Sequence, residues 1–277
     1  MRLWIDTDVG TNVDDAIALL LALAHPDVDL VGVSTTGPDP ARSAGLAREL
    51  MAAGGTPPDQ IPVVAGTAEA LEAFPRARPG ALLAIGPLTT VAALTTAGLR
   101  PPWLTIMGGA LEPVCLRGAV RDVESNFGAD PPAAAATLAV GGATLVPLDA
   151  TVATRLDERF HKALIGAAPV LEPLVEQWLQ AQAAEGVPPD EIAVHLHDPA
   201  ALLVAAGEPV TRTTMTLRLT VDSDGRLRPA GDDDPAGAEH EVVTALYATT
   251  VTALVIALLG AGAHPGPTAG AQPAKSR

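Results

Sequence analysis

The chain has 277 residues, of which 48% are hydrophobic but only 3% aromatic, and its formal net charge is -15. This length and composition fit one α/β domain with a core built mainly from Ala, Leu and Val. The negative charge argues against a nucleic-acid partner, the single cysteine excludes an internal disulfide, and no uninterrupted apolar stretch predicts a membrane span.

Short apolar or β-branched runs alternate along the chain with Ala- and Leu-rich helical patterns. The predicted strands are Leu3–Asp6, Leu30–Thr35, Ile61–Val64, Leu82–Ile85, Leu104–Met107 and Thr144–Leu148. The predicted helices are Asp14–Ala24, Ala41–Ala53, Thr89–Ala97, Pro131–Val140, Pro169–Glu185, Asp198–Ala206 and Glu239–Leu259. Thr213–Arg228 predicts a β-hairpin, and Gly231–Glu239 a turn before the last helix. The alternation predicts an open, mostly parallel sheet flanked by helices, with a Rossmann-like core, in one domain over residues 1–260 and a disordered tail over residues 261–277.

An aspartate-rich segment lies where the first strand meets the first helix. It reads LWIDTDVGTNVDDAIALLLALA and contains Asp6, Asp8, Asp14 and Asp15. Asp6 and Asp8 share one face of an extended strand, whereas Asp14 and Asp15 open a helix, where the dipole favours carboxylates. Taken singly, each residue is also explained as a helix cap or a loop anchor. Together, four converging carboxylates repel one another, and a divalent cation such as calcium, which takes oxygen ligands, relieves that repulsion.

Three later segments carry polar residues at the end of a strand or the start of a helix. AIGPLTTVAAL (84–94) joins a strand to a helix through a Gly-Pro turn. VESNFGADPPAAAA (123–136) holds Glu124 and Asn126 in a loop, and HLHDPAALLVA (195–205) puts His197 and Asp198 at a helix start. Each segment is also explained as plain turn or cap chemistry. Because ligands of parallel α/β sheets bind beyond the carboxyl ends of strands, the segments are candidates for completing the site.

Taken in order, these pieces resemble the inosine–uridine-preferring nucleoside hydrolase family. DTDVGTNVDD is similar to the longer variant of the family's Asp-rich N-terminal signature, and IGPLTTVA resembles its T-G-P-L-T-N segment. MGGA, ESNFGADPPAA, PLDAT and HDPAA resemble later segments of the family, so the resemblance runs through most of the chain. It implies a calcium-dependent N-ribohydrolase that acts on a small-molecule nucleoside and has the family's α/β fold.

The resemblance also implies a role for each matching residue. The calcium ligands are implied to be Asp8, Asp15, Asp198 and the backbone carbonyl of Ile85. The ribose hydroxyls are implied to contact Asp14, Glu124 and Asn126. Asp8 would also take the proton from the calcium-bound water, and His197 would donate a proton to the leaving base. Asp6 would steer its neighbours from behind the metal ligands.

Four departures from the family pattern concern the substrate side of the site. The segment Ser34–Ala44 lacks the Asn that usually follows the second strand, Ala119 stands in a loop that usually holds another Asn, and Ser125 replaces the aromatic residue of E-F-N. The segment between Thr67 and Leu82 is too short for the family's mobile, His-Gly-containing loop and the helix after it. A pocket without that loop is expected to be open and wet, which weakens electrostatic stabilisation.

Two other functions stay open at this point. The departures are consistent with a calcium-binding protein of the same fold that holds a ribosyl ligand without turnover. DTDVGT also loosely resembles the D-x-D-G-T loop of haloacid-dehalogenase-like phosphatases, although Val9 breaks the spacing and neither Lys162 nor Lys275 is well placed for a phosphate. No signal-peptide pattern is visible, so the sequence predicts a cytoplasmic protein. The resemblance implies a homodimer or homotetramer.

Overall fold

The computed structural model describes residues 1–57 and 59–262. Within them the strands are β1 (Arg2–Thr7), β2 (Asp29–Thr35), β3 (Val63–Ala65), β4 (Ala81–Ala84), β5 (Trp103–Met107), β6 (Val114–Leu116), β7 (Ala119–Arg121), β8 (Thr144–Val146), β9 (Thr211–Val221), β10 (Leu227–Pro229) and β11 (Ala238–Leu246). The helices are α1 (Asp14–Ala24), α2 (Pro40–Ala53), α3 (Gly66–Ala77), α4 (Thr89–Thr96), α5 (Ser125–Ala129), α6 (Pro131–Leu138), α7 (Leu148–Thr151), α8 (Glu158–Ala167), α9 (Glu172–Ala184), α10 (His197–Ala205) and α11 (Ala248–Gly262), with a 3₁₀ turn at Pro169–Leu171.

Nine of these strands form one sheet in the order β10-β9-β11-β8-β5-β4-β1-β2-β3. The strands from β11 to β3 pair in parallel, and β9 and β10 add an antiparallel edge that contains the predicted hairpin. The strands β6 and β7 form a separate antiparallel ribbon. Helices cover both faces of the sheet. The predicted open, mostly parallel α/β sheet flanked by helices is therefore confirmed.

The first strand is buried on both faces because helices pack on each side of the sheet. Leu3 and Ile5 belong to the apolar core on one face and Trp4 to the core on the other, as the two-residue period of a strand requires. The Trp4 ring lies over Gly32 of β2, where a Cβ would come within 2.0 Å of the ring. It also packs edge-on against Phe74 with the ring centroids 5.3 Å apart. The strand that carries the aspartates at its end is thus fixed firmly in the sheet.

Helix α1 is apolar nearly all round, which is typical of a helix buried inside a protein. Its residues Ile17, Leu19 and Leu21 are fully buried. The helix lies in contact with α2, α10 and α11 on one face of the sheet. Because α1 and α10 pack against each other and both begin at the carboxyl edge of the sheet, their first residues come close together.

The prediction of a single helix over Glu239–Leu259 is wrong in its first part. Ala238–Leu246 is strand β11, antiparallel to β9 and parallel to β8, and α11 begins only at Ala248. The neighbouring β-branched residues Val242 and Val243 favour a strand, and the sheet supplies β11 with a partner on each side. An apolar run alone does not reveal such partners, so the sequence pattern predicts a helix that begins several residues too early. The turn at Gly231–Glu239 accordingly leads into a strand.

Two further segments differ from the predictions. Gly66–Ala77, within the stretch considered too short for a loop and helix, forms α3 and buries Ala70 and Phe74 against the sheet. Ala261 and Gly262, assigned to the tail, are the last residues of α11, and the predicted disorder of residues 263–277 lies outside the described residues. None of the helices in the described ranges is long and apolar enough to cross a bilayer.

Candidate metal site and catalytic pocket

A cavity of about 850 Å³ opens at the carboxyl ends of the central strands. Its wall includes Asp8 after β1, Ile85 after β4 and Met107 at the end of β5. Cavities of this size take small-molecule ligands, and this edge of a parallel sheet is where such ligands bind. The residues that the sequence analysis assigned to the site all line this cavity except Asp6.

Three buried aspartates form the floor of the cavity. Asp14, Asp15 and Asp198 each place a carboxylate oxygen within 4.8 Å of the others. The first two begin α1 and the third lies in the first turn of α10, so the packing of these two helices brings them together. Burial, followed by repulsion from neighbouring aspartates, raises the pKa of Asp15 and of Asp198 well above the usual value. Burial raises the pKa of Asp14 to about 6.

Asp8 lies beside this group of three. Its negative charge contributes to the raised pKa of Asp15 and of Asp198, and burial is the main cause of its own raised pKa. A Cβ on Gly86 would lie 3.1 Å from Asp8 Oδ1 and 2.9 Å from the Asp8 backbone nitrogen. The glycine after Ile85 therefore lets the Asp8 carboxylate lie against the turn that follows β4.

The chemistry of these donors fits a divalent cation that prefers oxygen. Aspartate carboxylates together with a backbone carbonyl are the ligands typical of calcium, and no histidine or cysteine belongs to the group formed by the described residues. Carboxylates this close and this deeply buried destabilise one another in the absence of positive charge. A bound cation offsets that repulsion, so the residues present fit the ion that the family resemblance implies.

Two residues of β1 connect the floor to the interior. Thr7 Oγ1 donates a hydrogen bond of 2.5 Å to Asp15 Oδ1. Asp6 is fully buried and accepts a hydrogen bond from the Ser34 hydroxyl, which in turn accepts one of 2.9 Å from Trp4 Nε1. Burial raises the pKa of Asp6 to about 8. Asp6 thus contacts the protein interior rather than the cavity.

Glu124 reaches the cavity from the start of α5, which it caps. Its Oε1 accepts hydrogen bonds of 2.9 Å from the Asn126 backbone and from the Ser125 hydroxyl. Its Oε2 accepts bonds of 3.2 Å from the Phe127 backbone and 3.1 Å from the Gly109 backbone. These four bonds use the lone pairs of the carboxylate, so a sugar hydroxyl binds Glu124 only by displacing one of them.

Asn126 is better placed to receive a ligand. Its Nδ2 donates to the Met107 carbonyl oxygen at 3.2 Å, and its side-chain oxygen forms no hydrogen bond with the described residues. The following Phe127 packs under Gly108, where a Cβ would lie 2.5 Å from the ring. The MGGA turn therefore allows the close approach of α5 that holds Asn126 at the cavity wall.

His197 begins α10 next to Asp198. Thr151 Oγ1 lies 2.7 Å from His197 Nδ1 and fixes the orientation of the ring, and His195 stacks on the ring with centroids 5.2 Å apart. Burial, together with the charges of His195 and Arg117, lowers the pKa of His197 well below its usual value. The ring is therefore neutral at pH 7. Thr151 Oγ1 also lies 3.3 Å from the Pro147 carbonyl oxygen and 3.2 Å from that of Leu148, so the His197 tautomer depends on which of the three acceptors receives the hydroxyl proton.

Three of the residues around this histidine were not predicted from the sequence. Thr151 and His195 lie in the PLDAT and HLHDP segments, so the motifs already contained a signal for them. Arg117 has no such signal because it lies at the tip of the β6–β7 ribbon, which was not predicted. Lys162, considered for a phosphatase, pairs with Glu158 at 2.7 Å on α8 and does not line the cavity. Lys275 lies outside the described residues.

Comparisons with known proteins agree with this fold and with the family resemblance. The sequence matches the profile of the inosine-uridine preferring nucleoside hydrolases over residues 3–80 and 68–249. A plant nucleoside hydrolase structure is similar with a TM-score of 0.78 at 20% identity, covering 94% of this chain and 98% of that chain. A purine-preferring ribonucleoside hydrolase from Gardnerella vaginalis is similar with a TM-score of 0.78 at 20% identity, covering 95% and 99%.

One curated relative shares a short segment with this chain. It is described as an uncharacterized protein in the ribF 3′ region of Corynebacterium ammoniagenes, and it is 50% identical over 36 residues. The match covers 13% of this chain and 37% of the relative, so the chain spans well under two thirds of that protein.

Proposed function

Because the chain belongs to the inosine-uridine preferring nucleoside hydrolase family, as its motifs predicted, we propose that it hydrolyses the N-glycosidic bond of a ribonucleoside. Enzymes of this family cleave N-glycosyl bonds; here the products are ribose and a free base, and the reaction depends on calcium. The observation that carries the proposal is the group of Asp14, Asp15 and Asp198 on the floor of a cavity that also presents Asp8 and Asn126.

We assign the calcium ligands to Asp8, Asp15, Asp198 and the carbonyl of Ile85. When bound, the ion lowers the pKa of a coordinated water and so supplies a nucleophile near neutral pH. Asp14 belongs to the same group of neighbouring oxygens. We assign it to a ribose hydroxyl.

In the hydrolysis itself, Asp8 acts as the general base. It takes a proton from the attacking water, whose oxygen bonds to the anomeric carbon while the C–N bond breaks. The electron pair of that bond leaves with the base, which takes up one proton. Asp14 and Asn126 hold ribose hydroxyls, and the negative charge around the ring stabilises its oxocarbenium character in the transition state.

His197 is the proposed proton donor to the leaving base. Burial lowers the pKa of His197, so we assign its proton to Nε2, with Nδ1 accepting from the Thr151 hydroxyl 2.7 Å away. The ring gives the Nε2 proton to the base as the C–N bond breaks, and the proton that Asp8 took from the water then returns to the ring through solvent. Thr151 is then a positioning residue, because it acts on the substrate only through the tautomer of His197.

The test is reducing-sugar release from purine and pyrimidine ribonucleosides, with calcium and with a chelator. We expect release that depends on calcium. Asp8→Asn keeps the size of the side chain but cannot take the proton, so kcat should fall at least about 100-fold while the fold stays intact. Asp157→Asn, at a helix cap outside the cavity, is the matched control. An unchanged rate in the Asp8 variant would show that another group is the base.

The alternative is a calcium- and ribosyl-binding protein without turnover. The filled hydrogen bonds of Glu124 favour it, because they leave this carboxylate no free lone pair for the sugar. Absence of release from every nucleoside, in folded and calcium-loaded protein, would contradict hydrolysis and favour this alternative. The proposal also includes a cytoplasmic location, a homodimer or homotetramer, and a single domain over residues 1–260, all of which rest on the sequence and the family resemblance.

A further inference from the structure

The β6–β7 ribbon brings two arginines, Arg117 and Arg121, to the wall of the cavity. The two strands are joined by Arg117 and Gly118, whose φ angles are 55° and 73°. Positive φ at both positions is the requirement of a type I′ hairpin turn, which usually contains Asn and Gly. An arginine in this conformation is strained, and strained residues at a cavity point to a functional side chain.

The tip of the ribbon is held by the segment around α9. The guanidinium of Arg117 stacks over the ring of Trp178, with 4.3 Å to the ring centroid. The Gly118 backbone donates a hydrogen bond of 2.5 Å to Glu191, and a Cβ on Gly118 would lie 3.0 Å from Pro188. Arg117 therefore presents a planar cation in a fixed place, at a low entropic cost for binding a ligand.

This cation acts on the reactive end of the cavity. Burial lowers the pKa of His195 and of His197, and the positive charge of Arg117 lowers both further. Burial also lowers the pKa of Arg117, and the negative charge of Asp14 opposes that shift. No carboxylate of the described residues lies within the 4.0 Å ion-pair distance of the guanidinium, and its buried Nε has no hydrogen-bond partner there. Glu185 likewise opposes the lowering of the Arg117 pKa by burial, and the positive charge of Arg121 adds slightly to that lowering. Because both guanidinium groups line the same cavity, an anionic group there would meet two positive charges.

We propose that the ribosyl substrate has an anionic group, a carboxylate or a phosphate, at a position remote from its ring hydroxyls, and that Arg117 and Arg121 bind this group. A guanidinium can donate two parallel hydrogen bonds to two oxygens of a carboxylate or of a phosphate. The floor carboxylates of Asp14, Asp15 and Asp198 repel an anion, so the charged group belongs on the base or on the 5′ carbon. The inference rests on the proposed function, since it names the substrate class of the same site.

Two pairs of substrates separate the two positions of the charge. Inosine is compared with inosine 5′-monophosphate, and uridine with orotidine, which adds one carboxylate to the base. In the wild type we expect kcat/KM for a charged member to exceed that of its neutral partner. Arg117→Met keeps an apolar stem on Trp178 and should lower this ratio about tenfold to a hundredfold. Arg117→Lys should restore part of the ratio, and Arg76→Met, on the exposed face of α3, should keep it.

Each outcome decides the inference. A ratio that favours the phosphate places the anion at the 5′ carbon, and one that favours the carboxylate places it on the base. The inference is overturned if neither charged member is favoured, or if the ratio survives in Arg117→Met. It is also overturned if that variant lowers both rates equally and weakens calcium binding, because Arg117 then only balances the aspartates.

A binding measurement keeps the inference separate from the proposed function. If none of the four compounds is hydrolysed, the proposed function fails, and calorimetric titration of the same compounds into calcium-loaded protein decides the inference. It then requires that a charged member bind at least about tenfold more tightly than its neutral partner and that Arg117→Met abolish the difference. Equal affinities would overturn it.

Discussion

Replacing Thr151 with valine should slow the hydrolysis of nucleosides because it removes the partner of His197. Thr151 is 0% exposed, and its hydroxyl lies 2.7 Å from His197 Nδ1. Valine has nearly the same shape but no hydroxyl, so His197 Nδ1 loses its hydrogen bond. The tautomer with the proton on Nε2 is then no longer favoured. Leaving the buried nitrogen unpaired costs about 1–3 kcal/mol, which corresponds to a fall in kcat of about 5- to 150-fold.

The assay must separate proton donation from a general loss of packing. Thr151→Ser keeps the hydroxyl and should retain a rate on inosine close to that of the wild type. A p-nitrophenyl riboside has a leaving group that needs no proton, so Thr151→Val should hydrolyse it at nearly the wild-type rate. Thermal unfolding of both variants measures how much of the effect is lost stability.

Two results would refute this reasoning. If Thr151→Val hydrolyses inosine as fast as the wild type, the His197 ring does not need a partner at Nδ1. If the variant is slowed equally on inosine and on the activated riboside, Thr151 supports the packing of the site and not the transfer of a proton.

The remaining predictions concern the metal site and the strand behind it. Asp198→Asn should weaken calcium binding by about tenfold or more, because ligand charge sets calcium affinity, whereas Asp157→Asn should not change it in the same calorimetric titration. In metal-free protein, burial raises the pKa of Asp6 from 3.8 to about 8, so the folded state retains a proton that the unfolded state releases. Stability should therefore fall as pH rises from about 4 to about 8, and Asp6→Asn should flatten this dependence in thermal melts; equal slopes would contradict the assignment. Gly86→Ala would place a methyl group 2.9 Å from the Asp8 backbone nitrogen, and it should reduce both sugar release and calcium affinity; wild-type values for both would show that the turn adjusts freely.

The elements around the site could be predicted because their signals are local. The predicted helix Asp14–Ala24 has the observed bounds of α1, and the predicted strand Leu3–Asp6 differs from β1 by one residue at each end. Here the apolar run, the turn glycine and the paired aspartates lie within one stretch of sequence, so propensity and pattern agree. The predicted helix Asp198–Ala206 likewise differs from α10 by one residue at each end, but Leu196 and not Asp198 is the cap residue, and no side chain caps this helix.

Predictions failed where the partner of a segment lies far away in the chain. The sequence predicts helix for β11 because its neighbours β8 and β9 come together only in the folded sheet. The β6–β7 ribbon is short and is held at its tip by Trp178 and Glu191, which no local pattern reveals. The helix α3 has a weaker local signal, since only Ala70 and Phe74 of its residues are buried and Pro75 lies inside it.

The sequence by itself determined the fold class and which carboxylates gather at one edge of the sheet. In the parallel part of the sheet, each strand ends and the following helix begins at that edge, so the acidic motifs there lie near one another. Only the tertiary structure decided that Asp14 joins Asp15 and Asp198 in one group and that the lone pairs of Glu124 are already used. It also decided that Arg117 lines the wall of the cavity. These properties depend on distances between segments remote in sequence, and packing alone sets such distances.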